Sequence, residues 1–331
     1  MRVGMMSYAH LHAYKYSAVL KGLEGASLVA IADEQPARAR QAAKRFEVEQ
    51  VYSDYQELLD CSDIDAVVIC SPNAQHAAQA VAAARAGKHI LCEKPLATTV
   101  ADAQRMIAAA QQAGVILQTA FVCRYDWTLV LAREKVLAGA IGKPLALSGF
   151  NRGNCPPGWF TDPEQAGGGA VLDHSVHLTD LFRWFLDDEV EEVYAQAGTL
   201  FHPKLKVDDC GLLSLRFRSG VIASVDPSWS RPPSFPTWGD FFLTILGTKG
   251  VLSTSDARQV VSVYGSQRGR QRLVWEPWGA DYDQAMVEDF IASICQQRPP
   301  HASGEDGLRA LEIALAAYQS AKSGRPVRLR S

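Results

Sequence analysis

The sequence lacks several features that would place it in a specialised class of protein. Its apolar runs fall well short of the roughly 18 residues that a membrane-spanning helix needs. Its seven cysteines include no Cys-x-x-Cys pair, which favours reduced, buried thiols over a disulfide framework. The net charge of −3 offers no excess of positive charge to nucleic acid or to an anionic membrane. There is no internal repeat and no signal-peptide pattern, so we expect a cytoplasmic protein without nucleic-acid or membrane partners.

The length and the composition indicate an ordinary soluble protein of two domains. A chain of 331 residues is longer than a single hydrophobic core usually supports, so it is expected to divide into domains. Hydrophobic residues make up 47% of the chain and charged residues 21%, as in typical globular proteins.

In the N-terminal third of the chain, short apolar runs alternate with helical patterns. The apolar runs lie at 2–6, 28–32, 65–70, 88–92 and 115–120. Apolar runs without polar alternation are typical of a parallel sheet that is covered on both faces. The pattern therefore predicts a doubly wound α/β sheet, with Gly4 ending the first strand.

The turn after the first predicted strand carries an incomplete dinucleotide-binding fingerprint. In the pattern Gly-x-Gly-x-x-Gly/Ala, Gly4 would supply the tight turn and Ala9 would permit close packing of helix on strand. The middle glycine, which lets the backbone approach a pyrophosphate, is replaced by Met6. We therefore expect the pyrophosphate to sit further out or the loop to be reshaped, with Ser7 donating a compensating hydrogen bond.

Asp33 ends the second predicted strand and has two interpretations. An acidic residue at this position can bind the ribose hydroxyls of NAD and repel the additional phosphate of NADP. It can also be an ordinary helix N-cap. Arg38 and Arg40 follow about one turn later and are expected to face solvent, so no basic residue comes directly after Asp33 to favour NADP.

Two further turns follow predicted parallel strands. Ser71 and Asn73 in the first turn are either ligand contacts or helix caps, and His76 is either a ligand contact or a structural histidine. The second turn is Glu-Lys-Pro, in which Pro95 restricts Lys94 to an extended conformation. Because ligands of open α/β sheets bind at this edge, Lys94 is a candidate site residue as well as a possible surface lysine.

A second group of candidate residues follows three consecutive glycines at 167–169, which would allow tight packing against a cofactor. Asp173 and His177 are four residues apart, so on a helix they share one face. Imidazole suits proton transfer near neutral pH, and a nearby carboxylate can hold it or bind substrate hydroxyls. The alternatives are an ordinary helix start and a zinc site that includes His174. The zinc site is the weaker interpretation, because adjacent helical positions converge poorly on one ion.

Beyond residue 186 the pattern changes to successive strands joined by tight turns. Strand patterns lie at 190–200, 210–217, 221–230, 241–246 and 251–254, with weaker ones within 259–276, and helical patterns lie at 282–296 and 304–323. Repeated strands of this kind predict an antiparallel sheet.

Taken together, these motifs closely resemble the Gfo/Idh/MocA oxidoreductases, the family of glucose–fructose oxidoreductase and inositol dehydrogenase. The resemblance rests on Ser-Pro-Asn-x-x-His, on Ala-Gly-Lys-His-Ile-Leu-Cys-Glu-Lys-Pro-Leu-Ala at 86–97, and on Gly-Gly-Gly-x-x-x-Asp-x-x-x-His. The opening motif of the family is matched, apart from Met6, by Val3, Gly4, Ala9 and His12. The resemblance covers nearly the whole chain.

The resemblance implies an architecture and an assembly. It implies an N-terminal Rossmann domain over 1–122 that binds NAD(P), and a substrate-binding α+β domain over 123–331 with a large, mostly antiparallel, open-faced sheet. The C-terminal helices are expected to pack back toward the first domain. The exposed face of the sheet is commonly the subunit interface in this family, which implies a homodimer or homotetramer. The family generally needs no metal.

The resemblance also implies roles for individual residues. Lys94 would lie beside the nicotinamide and the substrate, and would converge with Asp173 and His177 in one catalytic cleft. The predicted cofactor-binding residues are Gly4, Met6, Ser7, Ala9, His12, Asp33, Ser71, Pro72, Asn73, His76, Glu93 and Lys94. The candidates for the wall of the substrate pocket are Arg124, Tyr125, Trp127, Arg152 and Trp159.

The sequence therefore predicts an oxidoreductase that transfers a hydride between NAD, less readily NADP, and a hydroxyl of a sugar, polyol or cyclitol. His177 would take the hydroxyl proton, Lys94 would stabilise the alkoxide, and Asp173 would bind the substrate or orient the other two. Two alternatives remain: an NAD-dependent glycoside hydrolase that works by transient oxidation and elimination, and a non-catalytic dinucleotide-binding regulator. The presence of all three residues favours catalysis.

Overall fold

The computed structural model describes residues 1–255, 260–267, 270–277, 279 and 281–329, and it divides into two compact units. The first unit comprises Met1–Tyr125, Glu164–Gly167 and Asp281–Leu311. The second unit comprises Asp126–Pro163, Gly168–Ala280 and Glu312–Ser331. The chain thus returns to the first unit near its C-terminal end.

The strands and helices are numbered in chain order. The strands are β1 (Arg2–Met6), β2 (Ser27–Ala32), β3 (Gln50–Tyr52), β4 (Ala66–Ile69), β5 (His89–Cys92), β6 (Leu117–Thr119), β7 (Pro144–Gly153), β8 (Val190–Gly198), β9 (Cys210–Phe217), β10 (Ile222–Asp226), β11 (Gly239–Gly247), β12 (Gly250–Ser255), β13 (Val260–Gln267), β14 (Arg270–Pro277) and β15 (Val327–Arg328). The α-helices are α1 (His12–Gly22), α2 (Pro36–Phe46), α3 (Tyr55–Leu59), α4 (His76–Arg85), α5 (Val100–Ala113), α6 (Trp127–Leu137), α7 (Pro163–Ala166), α8 (Ala170–Leu186), α9 (Tyr282–Cys295) and α10 (Gly304–Ser323). Short 3-10 helices cover Asn73–Gln75, Val122–Tyr125 and Gly158–Thr161.

The first unit contains a six-stranded parallel sheet in the order β3-β2-β1-β4-β5-β6. Strand β4, Ala-Val-Val-Ile, is buried along its whole length, as expected for a strand that is covered on both faces. Met5 of β1 packs in one apolar cluster with Tyr16 of α1 and Phe290 of α9. The strand order reverses between β1 and β4, and doubly wound sheets bind nucleotides beyond the strand ends at that point. The predicted Rossmann sheet is confirmed.

The role predicted for Gly4 has to be corrected. The first strand does not end there, because Met5 and Met6 pair with β2 on one side and with β4 on the other. What Gly4 provides is space, since a Cβ atom at this position would lie 2.8 Å from Leu58 Cδ2 of α3. The chain turns at Ser7, whose φ is 71°.

The second unit is built on a seven-stranded sheet in the order β12-β11-β7-β10-β9-β8-β15. Strands β7 and β10 are parallel neighbours, and the other neighbouring strands of this sheet pair antiparallel, so the predicted mostly antiparallel sheet is confirmed. One face packs on α8, where Gly149 leaves room for Leu178 and Phe182. The opposite face exposes Leu212, Ile222 and Leu246.

Strands β13 and β14 form a separate antiparallel hairpin. This hairpin agrees with the weak strand patterns that the sequence shows within 259–276. Residues 259, 268 and 269 of that range lie outside the described residues.

Two global features bear on the class of protein. Within the described residues, no helix is both long enough and apolar enough to cross a membrane. The seven cysteines are free thiols, and Cys70 and Cys92 are completely buried. Burial raises the pKa of both thiols well above its usual value, so they behave as small apolar core residues.

Candidate active site

The loop between β1 and α1 is organised by Ser7, a non-glycine residue in the left-handed region of φ. Its N–H donates to the carbonyl of Ala32 at 2.7 Å, and its Oγ accepts the N–H of Ala9 at 3.1 Å. Met6 is completely buried, so the side chain that replaces the expected glycine packs in the protein interior and not in the turn. The first N–H groups of helix α1 already have acceptors in the chain: His12 donates to His10 Nδ1 at 3.2 Å, Ala13 donates to the carbonyl of His10 at 3.1 Å, and Tyr14 donates to the carbonyl of Leu11 at 3.2 Å. The binding of a pyrophosphate at this turn and the compensating bond from Ser7 therefore stay predictions.

Asp33 follows β2 directly and is 2% exposed. Its Oδ2 accepts the N–H of Tyr8 at 2.7 Å, and its Oδ1 accepts the N–H of Gln35 at 2.8 Å. Gln35 is itself the N-cap residue of α2, so Asp33 is not the cap of that helix. The carboxylate is thus held at the carboxyl edge of the sheet, where an adenosine ribose would bind.

Arg38 does not face solvent as predicted. Its Nε donates to Asp33 Oδ2 at 2.7 Å, and its Nη2 donates to Glu34 Oε1 at 2.8 Å. Burial lowers the pKa of the guanidinium, but the two carboxylates outweigh burial and raise it. Arg40 is exposed, as predicted. The sequence pattern places Arg38 one turn into α2 but cannot show that its side chain returns to the strand end.

The turn after β4 contains a buried polar atom without a partner. Asn73 is 5% exposed, and its Nδ2 donates to the carbonyl of Ala166 at 2.9 Å. Its Oδ1 is buried and has no hydrogen-bond partner among the described residues. Because such an oxygen costs about 1–3 kcal/mol when unpaired, it fits a donor supplied by a cofactor. Ser71 instead donates its hydroxyl to Gln79 Oε1 at 2.9 Å, and Pro72 is buried.

The cofactor contact predicted for His76 is replaced by a structural role. The side chain is completely buried, with Nδ1 lying 3.0 Å from the carbonyl of Pro95 and Nε2 lying 3.0 Å from the carbonyl of Ser71. Burial lowers the pKa of the ring in spite of these backbone hydrogen bonds. His76 therefore connects the turn after β4 to the turn after β5, and neither nitrogen is left for a ligand.

Glu93 follows β5 and is the centre of a buried hydrogen-bond network. Its Oε1 accepts from His12 Nδ1 at 2.8 Å and from the hydroxyl of Tyr16 at 2.7 Å. Its Oε2 accepts the backbone N–H of Lys94 at 3.1 Å. Burial alone would raise the pKa of Glu93, but the electrostatic influence of His10, His12 and Lys94 outweighs it and holds the pKa well below its usual range. Sequence reasoning missed Tyr16, although it lies one helical turn after His12.

His10, His12 and Glu93 also form a possible metal-ligand group, because their ligand atoms lie within 4.8 Å of one another. His10 Nδ1 is 3.9 Å from Glu93 Oε1 and accepts the backbone N–H of His12 at 3.2 Å. The same Oε1 already receives two donors. These hydrogen bonds explain why His10, His12 and Glu93 lie close together, and no bound ion is needed for that explanation.

Lys94 lies immediately past the end of β5, as its sequence predicts. Its side chain is 6% exposed, and its peptide bond to Pro95 is cis. Lys94 belongs to the first unit, whereas Asp173 and His177 belong to the second. Their convergence in one cleft stays a prediction.

The N-terminus of α8 is capped by two side chains from distant parts of the chain. Asp208 accepts the N–H of Gly169 at 3.0 Å and the N–H of Val171 at 2.7 Å. The hydroxyl of Tyr318 accepts the N–H groups of Gly169 at 3.0 Å and Leu172 at 3.2 Å, and it donates to Asp208 at 2.7 Å. These bonds satisfy backbone donors that every helix start leaves without a partner.

The glycines before α8 pack against this cap. A Cβ atom on Gly169 would overlap the carbonyl oxygen of Asp208, and one on Gly168 would overlap the hydroxyl of Tyr318. Gly168 and Gly169 therefore make room for other segments of the second unit, and the packing of the glycine run against a cofactor stays a prediction.

Asp173 lies in the first turn of α8 and is 8% exposed. Its Oδ2 accepts from Trp229 Nε1 at 3.2 Å and lies 3.2 Å from His174 Nε2. His174 Nδ1 faces the carbonyl of Asn151 at 3.0 Å, and a carbonyl can only accept, so Nδ1 carries a proton. Sequence reasoning missed Trp229, and it considered His174 only as a metal ligand.

His177 follows one turn after Asp173 and is 7% exposed. Helix α8 includes both residues, so they share one face as their spacing predicts. Imidazole can accept a proton and a carboxylate one helical turn away can orient it, and the catalytic roles of both residues stay predictions.

Two residues predicted to line the substrate pocket form hydrogen bonds within the first unit. Arg124 pairs with Asp306 at 2.8 Å and donates to the carbonyl of His301. Tyr125 donates its hydroxyl to Asp289 Oδ2 at 2.7 Å. These bonds hold the 3-10 helix to the C-terminal part of the unit, and the pocket roles of both residues stay predictions.

The other pocket candidates belong to the second unit. Arg152 pairs with Asp226 at 2.6 Å and stacks over the ring of Phe150, on the sheet face turned away from α8. It is therefore not brought together with the residues of that helix. Trp127 is 61% exposed at the start of α6, and Trp159 stacks on Phe160 with ring centroids 3.9 Å apart. The pocket roles of both tryptophans stay predictions.

Comparisons with known proteins agree with this geometry. Residues 2–121 match the oxidoreductase family with an NAD-binding Rossmann fold, and residues 129–253 match the GFO/IDH/MocA C-terminal domain. The chain is 32% identical to a myo-inositol 2-dehydrogenase of Thermotoga maritima over 99% of this chain and 98% of that protein. It is 31% identical to a 1,5-anhydro-D-fructose reductase of Ensifer adhaerens over 93% of this chain and 92% of that protein.

Solved structures give the same result. The fold is similar to that of a levoglucosan dehydrogenase in complex with NADH and L-sorbose, with a TM-score of 0.85 and 27% identity over 100% of this chain and 99% of that one. The predicted family and the predicted cofactor, NAD, are confirmed by these matches. This chain belongs to the Gfo/Idh/MocA family and is an NAD-binding oxidoreductase that acts on CH–OH groups.

Proposed function

We propose that this protein is an NAD-linked dehydrogenase of a sugar, polyol or cyclitol, and that Lys94, Asp173 and His177 carry its chemistry. The main support for the proposal is that Asp173 and His177 are both buried on one face of α8. Asp208 and Tyr318 hold the first turn of that helix by hydrogen bonds. The names of the relatives support the substrate class, because an inositol dehydrogenase and an anhydrofructose reductase both act on polyhydroxylated molecules.

The cofactor would be held by groups at the carboxyl edge of the first sheet. The positive end of the α1 dipole would attract the pyrophosphate, and Asp33 would bind the adenosine ribose. The unpaired Oδ1 of Asn73 would accept a hydrogen bond from the cofactor. When bound, NAD supplies the hydride acceptor.

Side chains of the protein would transfer the proton and stabilise the negative charge that develops on the substrate oxygen. His177 would accept the proton of the substrate hydroxyl as a general base. The ammonium group of Lys94 would stabilise the alkoxide, and Glu93 fixes the backbone of Lys94 through its N–H. Asp173, held by Trp229 and next to His174, would orient the substrate or His177.

A substrate screen tests this function. The protein would be incubated with sugars, polyols and cyclitols in the presence of NAD or NADP, and the absorbance of the reduced nicotinamide would be followed. We expect one mole of NADH for each mole of substrate oxidised. Product release without net NADH would show a hydrolase, and cofactor binding without any turnover would show a regulatory protein.

We further propose that the protein is a homodimer or homotetramer in the cytoplasm, assembled through the open face of the second sheet. That face carries the exposed side chains of Leu212 and Ile222 on the neighbouring strands β9 and β10, and of Leu246 on β11, which β7 separates from β10. Replacing Ile222 with Glu should shift the mass in solution toward the monomer in light scattering. An unchanged mass would place the interface elsewhere.

A further inference from the structure

Trp229 lies just beyond β10 and donates a hydrogen bond to the side chain of Asp173 from a completely buried position. Its Nε1 is 3.2 Å from Asp173 Oδ2, and an indole nitrogen can only donate. A buried N–H group that lacks an acceptor costs free energy, so the indole depends on this carboxylate oxygen. The bond therefore joins a core residue of the second unit to a candidate catalytic residue of α8.

The indole cannot move to follow Asp173, because Trp229 is held by its own surroundings. Its backbone N–H donates to the carbonyl of Asp209 at 2.8 Å, and the side chain of Asp209 is itself completely buried. The side chain of Trp229 packs with Ala170 and Val207 in one apolar cluster. Trp229 is thus a fixed reference point, and the side chain of Asp173 adapts to it.

The ring of His174 contacts the same oxygen of Asp173. Its Nε2 is 3.2 Å from Oδ2, and its Nδ1 is 3.0 Å from the carbonyl oxygen of Asn151. The ring meets Trp229 edge to face, with centroids 6.5 Å apart, and a Cβ atom on Gly153 would lie only 2.8 Å from His174 Cε1. The ring is therefore confined on several sides. Because a carbonyl can only accept, His174 ends this chain of contacts and cannot relay a proton beyond Asn151.

We propose that Trp229 and His174 are positioning residues of the active site, which fix the carboxylate of Asp173 through Oδ2. Two contacts on one oxygen restrain rotation of the carboxylate about the Cβ–Cγ bond, so they set the direction of Oδ1 as well. An aspartate that orients a substrate or a general base depends on such restraint, because a displacement of about 1 Å can cost about a hundredfold in rate. The proposal rests on the proposed dehydrogenase function, but its hydrogen bond can be tested without any substrate.

The first test detects the bond from Trp229 in solution. Labelling with 15N-tryptophan gives one indole N–H signal for each of the seven tryptophans, and Trp229→Phe identifies the signal of Trp229. The comparison is Asp173→Leu, which keeps a branched side chain but accepts no hydrogen bond. We expect the indole N–H of Trp229 to exchange with water about tenfold faster in Asp173→Leu, as for loss of one buried hydrogen bond. An unchanged exchange rate overturns the proposal.

The second test measures kcat, KM and, by calorimetry, the affinity for NADH. The substrate is myo-inositol, or the compound that the substrate screen finds to be oxidised fastest with NAD. Trp229→Phe keeps an aromatic ring and removes the donor, so kcat should fall by about ten- to a hundredfold while the affinity for NADH stays within about twofold. His174→Leu should lower kcat by about tenfold, and His174→Gln, whose amide can still donate to Asp173, should restore most of that loss. Trp184→Phe is the matched control in the last turn of α8 and should behave as the wild type.

Two kinetic results would refute the positioning role. A kcat of Trp229→Phe within about threefold of the wild type would show that Asp173 is positioned without the indole. Equal losses in His174→Leu and His174→Gln, or a loss of NADH affinity parallel to that of kcat, would assign the residues to the fold alone. If Trp229→Phe does not fold, the two His174 variants decide the question. A screen without any turnover contradicts the proposed function, and the exchange rate of the indole N–H then decides on Trp229.

Discussion

Asp208→Asn should loosen the start of α8 without touching a catalytic residue. The two carboxylate oxygens accept N–H groups of Gly169 and Val171 and the hydroxyl of Tyr318. An asparagine of the same shape keeps one oxygen and replaces the other with an N–H₂ group. If the amide nitrogen replaces Oδ2, the N–H of Val171 loses its acceptor; if it replaces Oδ1, the hydroxyl of Tyr318 loses its acceptor and the N–H of Gly169 keeps only Tyr318.

The magnitude follows from the number and kind of bonds lost. Burial raises the pKa of Asp208, and the hydrogen bonds oppose burial only in part, so the charge itself adds little stability. The main loss is one buried donor, the N–H of Val171 or the hydroxyl of Tyr318, left without an acceptor, which costs about 1–3 kcal/mol. That free energy corresponds to roughly a 5- to 150-fold loss of protection at the start of the helix.

Hydrogen exchange measured by mass spectrometry can resolve this effect. Peptides covering 167–175 should exchange faster in Asp208→Asn, whereas peptides covering 180–187 should exchange at the wild-type rate. Asp187→Asn is the matched control, because Asp187 is exposed at the other end of the same helix, in a left-handed conformation that Asn also adopts. Unchanged exchange over 167–175 in Asp208→Asn would refute the capping argument.

Three further predictions concern separate features. His177→Ala should lower turnover by about a hundred- to ten-thousandfold, the usual contribution of a general acid–base group, while calorimetry shows an unchanged affinity for NADH; near-normal turnover would contradict the mechanism. Gly169→Ala should destabilise the second unit by about 3 kcal/mol or more in urea unfolding, because the new Cβ would overlap the backbone of Asp208. The control Gly22→Ala should be neutral or slightly stabilising, because no atom lies within 4 Å of the new Cβ. The pKa of Glu93 is lowered in the folded protein, so its ionised form stabilises the native state above the unfolded pKa of about 4.3, and this stabilisation is lost as the pH falls through the folded pKa. Glu93→Gln should therefore make the melting temperature fall less steeply with decreasing pH. A fall as steep as that of the wild type would assign the effect to other carboxylates.

Local patterns were sufficient to predict most of the fold. The apolar runs around Val68 and Leu91 contain no polar alternation, and both lie in the buried parallel sheet. The spacing of Asp173 and His177 was sufficient to predict that they share one face of α8, because a helix places residues four apart on the same side.

What the sequence did not show depends on contacts between distant residues. His76 lies in a motif typical of ligand binding, yet its two nitrogens face carbonyls of turns that only the folded sheet brings together. Arg124 follows the last strand of the first sheet, and its partner Asp306 comes about 180 residues later, beyond the reach of any local pattern. Gly4 matches a fingerprint position, but the reason for a glycine there is the side chain of Leu58.

The position of β7 in the second sheet has a consequence for synthesis of the chain. Its two neighbours, β10 and β11, are made roughly 75 and 100 residues after it, so β7 has no hydrogen-bonding partner while α8, β8 and β9 emerge from the ribosome. During that interval its unpaired backbone is an exposed edge that can pair with another nascent chain. A ribosome that stalls before residue 222 would therefore release a fragment prone to aggregation, whereas one that stalls after residue 247 would release a chain able to enclose β7 on both sides.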